Sequence, residues 1–564
     1  MLPEAFTERM QKMLGEEYEA FLETFEEERY QALRLNPLKI GMDGCSAAER
    51  YGLDAADSER VPWAENGYYY TAEERPGKHP YHEAGLYYIQ EPSAMAPAEL
   101  LGVKPGERVL DLCAAPGGKS TQIGAKLLGK GILVCNEIHP ARAKILSENM
   151  ERMGIANACV MSEAPERLVR FFGGFFDRIL VDAPCSGEGM FRKNEEAYRE
   201  WSPENIALCA ERQDRILDSA ACMLRPGGTL VYSTCTFAPE ENEGSVSRFL
   251  RRHGAFSIRS VEKELLGLAG CDGSAAYLAR VKPEAEQALP GMEAAVRLLP
   301  QRVRGEGHFA VLLQKDGGMP GSPVSGDGNA VGCNTEKRRE DAAEPGMSER
   351  RMETKAAESN MGRGCGEKYR AETSTCGNRG SSRRSGKARK ENSCCSEMEL
   401  ESIAVFTSEN IRLCNHAPET GDQDLFQEIG QVLGMGREVR PVRFGEQIYL
   451  VPEQLPLLNG LKVLRPGMHL GELKKNRFEP SHGLAMALCP IYAVHVWNLD
   501  ARDPLVTAYL KGQTFPAAGE RGWYLICVDG FSIGWGKLAG GIMKNHYPIG
   551  LRRKDFREDG RKAE

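Results

Sequence analysis

The stretch Val109-Leu110-Asp111-Leu112-Cys113-Ala114-Ala115-Pro116-Gly117-Gly118-Lys119-Ser120 passes from an apolar run into a loop of small residues and then into a helical pattern. A strand, a tight turn and a helix start in that order make the first βα unit of a ligand-binding α/β sheet. Gly117 and Gly118 permit close backbone approach that a Cβ resists. The first-turn amides of the following helix have no partner within it and can meet a ligand. Plain βα packing would leave the same pattern, so the chain downstream has to separate the two readings.

Downstream, the apolar periodicity predicts a helix over 120–128, a strand over 131–136, a helix over 140–153, strands over 158–161 and 178–182, a helix over 204–224 and a strand over 228–233. Such alternation specifies a doubly wound, mostly parallel sheet with helices on both faces. Ligands of these sheets bind at the carboxyl ends of the strands. Those ends carry Asp111, Glu137, Glu163, Asp182 with Ala183-Pro184-Cys185, and Ser233-Thr234-Cys235. Glu137 lies about 20 residues beyond the glycine loop, where a carboxylate can accept from both hydroxyls of a ribose. The loop lacks G-x-G-x-x-G, and no P-loop spacing occurs, so S-adenosylmethionine fits better than a dinucleotide or ATP. Most cytosolic cysteines are small buried hydrophobes. Cys185 and Cys235 instead stand at strand ends near amide-rich helix starts, where a thiolate nucleophile can form.

Three motifs, Asp111-Leu112-Cys113-Ala114-Ala115-Pro116-Gly117-Gly118-Lys119, Asp182-Ala183-Pro184-Cys185-Ser186-Gly187-Glu188-Gly189 and Ser233-Thr234-Cys235-Thr236, together closely resemble the Nol, Nop and Sun family of RNA cytosine-5 methyltransferases. The resemblance includes Arg34-Leu35-Asn36-Pro37-Leu38-Lys39, Tyr88-Ile89-Gln90-Glu91-Pro92-Ser93 and Glu240-Glu241-Asn242-Glu243, and it covers residues 2–315. It implies a Rossmann-like methyltransferase domain in which Cys235 adds to C6 of cytosine. Asp182 is then placed to hydrogen-bond or protonate N3, which calls for a carboxyl of raised pKa, and Cys185 helps to resolve the covalent adduct. By the same resemblance Cys113, Ala114, Ala115, Pro116, Gly117, Gly118 and Lys119 hold the methionine end of the cofactor, Glu137 the ribose, Glu163 the adenine, and Asp182 closes the cofactor site. Arg192 and Lys193 resemble positions near the substrate; a solvated surface pair is the alternative.

With 564 residues the chain has room for three or four domains. Its net charge of −8 is silent about any local basic groove. Seventeen cysteines without C-x-x-C spacing suit a reducing cytoplasm, and neither an export signal, a membrane anchor nor a metal site is expected. An α+β N-terminal subdomain is expected over 1–95. Its aromatics, Trp63, Tyr68, Tyr69, Tyr70, Tyr81, Tyr87 and Tyr88, could stack on nucleotides or simply pack. The catalytic domain follows over 96–315, and a disordered linker over 316–397 has too little apolar surface to fold. That linker includes a tract over 378–390 with six bases and no acid, which could attract RNA or merely be solvated.

A small domain is expected over 398–475 and a β-barrel over 476–564, with Asp529-Gly530 turning a hairpin. This last part resembles the RNA-binding barrel found in the ribosomal-RNA branch of the same family, similar to the pseudouridine-synthase and archaeosine module. The resemblance turns Lys537, Lys544 and Arg552 toward phosphates. The expected protein is a monomeric S-adenosylmethionine-dependent RNA cytosine-5 methyltransferase, with ribosomal RNA or a ribosomal-subunit precursor as its partner. A transfer-RNA or DNA cytosine methyltransferase would share the chemistry. A non-catalytic RNA-binding assembly factor would not need Asp182, Cys185 and Cys235 together.

Overall fold

The computed structural model describes residues 2–40, 59–193, 195–284, 287–317, 397–413, 422–475 and 477–553. The expected linker lies outside the described residues apart from positions 316, 317 and 397, and so does the basic tract over 378–390. Residues 4–32 are charged and helix-forming in composition, with Met10, Met13, Leu14, Tyr18, Phe21, Leu22 and Phe25 at helical spacing; helices form over Glu4–Leu14 and Tyr18–Glu23, which bury Phe6, Met10, Met13, Leu14 and Phe21. The helical pattern does not continue to residue 32 as its composition suggests. Gln31–Leu35 is strand β1, flanked by β2 (Gly67–Tyr70) and β3 (Tyr87–Ile89) in an antiparallel sheet, because the tyrosine-rich segments supply cross-strand partners. The aromatic run is mainly packing: Trp63, Tyr68, Tyr81, Tyr87 and Tyr88 are buried. The Trp63 indole N–H donates to the Pro92 carbonyl at 2.8 Å, and the Tyr87 hydroxyl to that of Pro76 at 2.8 Å.

The catalytic sheet contains β4 (Arg108–Asp111), β5 (Ile132–Asn136), β6 (Ala158–Met161), β7 (Phe176–Asp182) and β8 (Leu224–Thr234), all parallel, in the order β6-β5-β4-β7-β8. Successive residues alternate between two cores. Val109, Leu133, Val160, Leu180 and Val231 face one, and Leu110, Val134, Met161, Val181 and Tyr232 the other. Helices Gly118–Leu127, Pro140–Arg152, Pro165–Phe172 and Pro203–Met223 belong to this unit. The chain runs outward on one side of β4 and then crosses to β7 on the other, so the topological switch falls between β4 and β7. That is where a crevice opens in such sheets. Strand β9 (Phe256–Ile258) and β10 (Val296–Leu298) both pair with β11 (His308–Lys315), which lies antiparallel to β8.

Beyond residue 397, β12 (Val439–Phe444), β13 (Gln447–Pro452), β15 (Met468–Lys474) and β16 (Arg477–Pro480) form an antiparallel sheet. The strand between them, β14 (Val463–Arg465), leaves that sheet and adds antiparallel to the edge of β6, extending the catalytic sheet. The last five strands are β17 (Val496–Leu499), β18 (Phe515–Pro516), β19 (Gly522–Val528), β20 (Phe531–Ala539) and β21 (Ile542–Asn545), ordered β17-β19-β20-β21-β18 in a curled sheet. Asp529 and Gly530, with φ of 49° and 86°, make the tight turn expected between β19 and β20.

Candidate active site

The ends of β7 and β8 are in register, Asp182 opposite Ser233. The Ser233 hydroxyl donates to Asp182 Oδ1 at 2.8 Å and Lys119 Nζ donates to Oδ2 at 2.9 Å. His308, buried at the start of β11, brings Nε2 within 3.3 Å of Oδ1. Burial alone would raise the Asp182 carboxyl. The Lys119 charge and the donors from His308 and Lys119 outweigh it and hold the group well below the usual carboxylate range. Burial pulls Lys119 down, and the Asp182 charge more than reverses this, so its ammonium is held above its ordinary value. The raised carboxyl that a proton donor to N3 requires is therefore not what these neighbours produce.

Cys185 and Cys235 approach with their sulfurs 3.4 Å apart. The hydrogen bond to Cys235, reinforced by burial, pushes the Cys185 thiol well up, and either sulfur can be the donor of the pair. Asn242 clamps both neighbours of Cys235: the Thr234 hydroxyl donates to Asn242 Oδ1 at 2.6 Å, and Asn242 Nδ2 donates to the Thr236 carbonyl at 2.9 Å. The Gly189 amide donates to the Cys235 carbonyl at 2.8 Å. On the Cys185 side, Glu241 accepts the Ser186 amide at 3.1 Å and Gln213 Nε2 at 2.7 Å, while the same Gln213 nitrogen donates to the Pro184 carbonyl at 3.1 Å. The loop between the motifs is fastened by Glu188, which accepts from the Thr236 hydroxyl, the Phe237 amide and the Trp201 indole. Glu243 is locked to buried Arg297 by bonds of 3.0 and 2.7 Å. The run Glu240 to Glu243 is visible in the sequence, but its task as the cradle of both cysteine loops emerges only from these long-range contacts.

Burial pushes the Glu241 carboxyl up to about 8. Its folded value exceeds its unfolded one, so between the ordinary carboxyl range and pH 8 folding is coupled to proton uptake. Stability from this group therefore falls as pH rises, by at most about 1.4 kcal/mol per unit. Glu241→Gln should flatten that dependence. Urea melts of both proteins at pH 6 and pH 8.5 measure it, and an equal loss in parent and variant would show that Glu241 is not the titrating group.

The glycine loop is held from beneath and from both sides. The Ala114 amide donates to the Asn136 carbonyl at 2.9 Å, Arg142 to the Ala115 carbonyl at 2.8 Å, and Asn149 to the Pro116 carbonyl at 2.9 Å. Arg34, buried below it, donates to the Gly118 carbonyl at 2.9 Å, to the Thr121 hydroxyl at 2.8 Å and to Gln90. Asp111 accepts the Ser120 hydroxyl on Oδ2 at 2.7 Å, while Oδ1 is buried without a partner, and burial pushes the carboxyl up to about 7. The Asp182 and Glu137 charges add to that rise, and the Lys119 charge opposes it.

Glu137 accepts the His139 amide at 2.9 Å and lies 3.4 Å from Arg142. Glu163 stands at the next strand end, but its carboxylate accepts the Lys462 amide at 2.7 Å and pairs with Arg167 at 3.1 Å. It thus ties the catalytic sheet to the segment entering β14.

Lys537 and Lys544 face one another across β20 and β21, and Lys537 lies over the Trp523 ring at 4.7 Å. Arg552 is elsewhere, with Nε donating to the Tyr547 carbonyl at 3.3 Å on the side where Tyr547 meets Glu83 of the N-terminal subdomain. Arg192 is turned inward against Glu306, and Lys193 is exposed. Among the described residues no helix is long and apolar enough to cross a membrane, and no cluster of three metal-binding side chains occurs.

A doubly wound sheet with this loop at its switch point has the Rossmann-like fold of a methyltransferase domain. Residues 98–314 match the family described as 16S rRNA methyltransferase RsmB/F; residues 2–92 match the N-terminal domain of 16S rRNA methyltransferase RsmF, 426–488 its first C-terminal domain and 498–553 its PUA domain. The chain belongs to this RsmB/F family. It is 41% identical over 254 residues to ribosomal RNA small subunit methyltransferase F of Vibrio vulnificus, covering 43% of this chain and 52% of the relative. It is 34% identical over 333 residues to the protein of the same description from Salmonella paratyphi B, covering 57% and 65%. The chain thus spans about half to two thirds of the length of these relatives. A solved methyltransferase homolog from Pyrococcus horikoshii aligns at 27% identity over 55% of this chain and 94% of its own, with a TM-score of 0.46.

Proposed function

We propose that this protein methylates C5 of a cytidine in small-subunit ribosomal RNA through a covalent bond from Cys235 to C6 of the base. The observation that carries this reading is the pair of cysteine sulfurs 3.4 Å apart, beside the Asp182–Lys119 ion pair at the switch point. C5 of cytosine is a weak nucleophile. Attack of the Cys235 thiolate on C6 forms the S–C6 bond, moves electron density toward C5 and the N3–O2 edge, and makes C5 able to take a methyl group. S-adenosylmethionine, when bound, supplies that methyl as an electrophile.

The chain's own residues do the rest. Cys113 to Lys119 and Glu137 hold the cofactor, and Glu163 borders the adenine end through the β6 edge. Asp182, as a carboxylate, accepts from the exocyclic amino group of the base, while Lys119 offsets negative charge developing on the ring. Once the methyl is in place water takes the C5 proton, the electrons of that C–H bond form the C5=C6 double bond, the S–C6 bond breaks so that Cys235 leaves as a thiolate, and Cys185 assists that release. The target base has to leave its stack to reach this crevice. Lys537 and Lys544 contact phosphates, which position RNA without reading it.

The test is incubation with methyl-labelled cofactor and either undermodified 16S rRNA or undermodified transfer RNA, followed by nucleoside analysis. 5-Methylcytidine from the ribosomal RNA is the expected product. Label confined to transfer RNA would remove the substrate assignment, and label in any other nucleoside would remove the chemistry.

A further inference from the structure

The helix Pro140–Arg152 supports the glycine loop on one side, and its last turn is gripped from the other by residues with no part in the chemistry above. Gly117 rests on this helix so closely that a Cβ there would lie 3.1 Å from Leu146 and 3.5 Å from Asn149. Asn149 Nδ2 holds the Pro116 carbonyl, and Asn149 Oδ1 in turn accepts from Arg152 Nη2 at 3.1 Å. Arg152 Nη1 reaches into the N-terminal subdomain, donating to the His82 carbonyl at 2.9 Å. The helix end is capped from the same subdomain by Asn36, whose Nδ2 donates to the Met153 carbonyl at 2.9 Å.

Glu151 projects the opposite way, because side chains two residues apart on a helix do not share a face. Its carboxylate lies 2.9 Å from His482 Nδ1 and 3.6 Å from Arg465 Nη1. Burial would raise this carboxyl, but the hydrogen bond from His482 and the charge of Arg465 outweigh it and hold the group at about 2. A carboxylate only accepts, so His482 carries its proton on Nδ1. Arg465 is buried and its Nη1 has no hydrogen-bond partner, so the countercharge of Glu151 is what it has to lean on. Both partners belong to the C-terminal half of the chain. Arg465 ends β14, and His482 opens the helix His482–Ala487.

That second helix is itself fixed. The Trp535 indole N–H on β20 donates to the Ser481 carbonyl at 2.9 Å, and Lys39 Nζ donates to the Met486 carbonyl. A Cβ on Gly154 would lie 2.8 Å from the Met486 carbonyl, and one on Gly483 would lie 3.4 Å from Glu151 Oε2, so the two helices meet without slack. The motif Arg34 to Lys39 thereby touches all three parties: Arg34 the Gly118 carbonyl, Asn36 the end of the first helix and Lys39 the second helix.

We infer that Glu151, anchored by His482 and Arg465, is a positioning residue for the cofactor: it locks the last turn of the helix Pro140–Arg152 so that Asn149 holds the glycine loop in its binding shape at Pro116. The inference rests on the assignment of S-adenosylmethionine to that loop. Among the described residues neither His482 nor Arg465 bonds to the loop, so their effect on the cofactor has to pass through the helix. A loop held in its bound shape beforehand spares the ordering cost of binding.

The experiment is calorimetric titration of the full chain with S-adenosylmethionine, without RNA. Glu151→Gln should raise the cofactor Kd about tenfold, and in an Asn149→Ala background it should change Kd by less than about twofold, since both act through one contact. His482→Phe keeps a ring in place and should weaken binding like Glu151→Gln, whereas His482→Asn, whose amide nitrogen takes the place of Nδ1, should restore the parent affinity. Arg443→Met, which breaks the ion pair to Glu399 within the C-terminal half, should leave Kd within about twofold. Unchanged Kd in both Glu151→Gln and His482→Phe, full additivity of Glu151→Gln with Asn149→Ala, or equal weakening by Arg443→Met overturns the inference and leaves the cofactor assignment standing. A parent that does not bind S-adenosylmethionine overturns that assignment and this inference with it.

Discussion

Cys235→Ala is expected to abolish methyl transfer, with a loss in kcat of about 10⁴-fold or more, since removing the nucleophile of a covalent mechanism leaves only binding to help the reaction. The structure gives the two cysteines unequal parts. Cys235 is clamped on both sides by Asn242, and its carbonyl is fixed by Gly189, so its sulfur position is set by backbone. Cys185 is held as a thiol, pushed well up, with its sulfur 3.4 Å from that of Cys235. Cys185→Ala should therefore still form the S–C6 bond but release the product slowly, and a protein–RNA adduct that survives denaturation should accumulate and be seen as a retarded band carrying methyl label. Methylation persisting in Cys235→Ala would transfer the nucleophile's role elsewhere. An adduct building up in Cys235→Ala but not in Cys185→Ala would exchange the two roles. The matching variant Asn242→Ala should lower kcat more than it alters the cofactor KM, because the Asn242 side chain bonds to both residues flanking Cys235.

The strand and helix order around the glycine loop is legible in the sequence because apolar runs and glycine turns are local signals. Five strand ends, from Asp111 to Thr234, fall on the expected rim for the same reason. What escapes is set by partners far away in sequence. The segment over 4–32 carries helical periodicity throughout, but Gln31–Leu35 is claimed as a strand by tyrosines more than 30 residues further on. Val463–Arg465 gives no sign that it will pair with β6, some 300 positions earlier, nor that the Glu163 carboxylate will hold its entering amide. Arg192 looks like a surface base until Glu306 turns it inward. Arg552 looks equivalent to Lys537 and Lys544 until the curled sheet puts it on the side that meets the N-terminal subdomain. Lys537 and Lys544 do come together, because the Asp529-Gly530 turn and the following hairpin fix the register that places them opposite each other.

The charge state of Asp182 is the sharpest case, and it sets the second large effect. Its sequence neighbours say nothing of Lys119, Ser233 and His308, yet Lys119 and Ser233 donate to its two oxygens, the His308 ring lies 3.3 Å away, and Lys119 and His308 keep it ionised. A carboxyl whose folded pKa is depressed stays charged at every pH above its ordinary range, and it gives up its stabilising contribution only as pH falls through the folded value. Across pH 6 to 8 it accepts hydrogen bonds and donates no proton. Asp182→Asn is expected to cost about 10³-fold in kcat, as loss of a preorganised charged group at the reacting ring would. Lys119→Met separates the acceptor from the proton donor by the sign of a slope. Removing the ammonium takes away the main opponent of burial, so the Asp182 carboxyl rises toward neutrality. If the carboxylate is the working form, the variant's residual kcat climbs with pH through a new limb that the parent lacks. If the protonated form works, the variant gains activity at low pH and loses it as pH rises. A pH series of single-turnover methylation rates on parent and variant, with cofactor saturating in both, tells the two apart, and a falling limb would return the proton to Asp182.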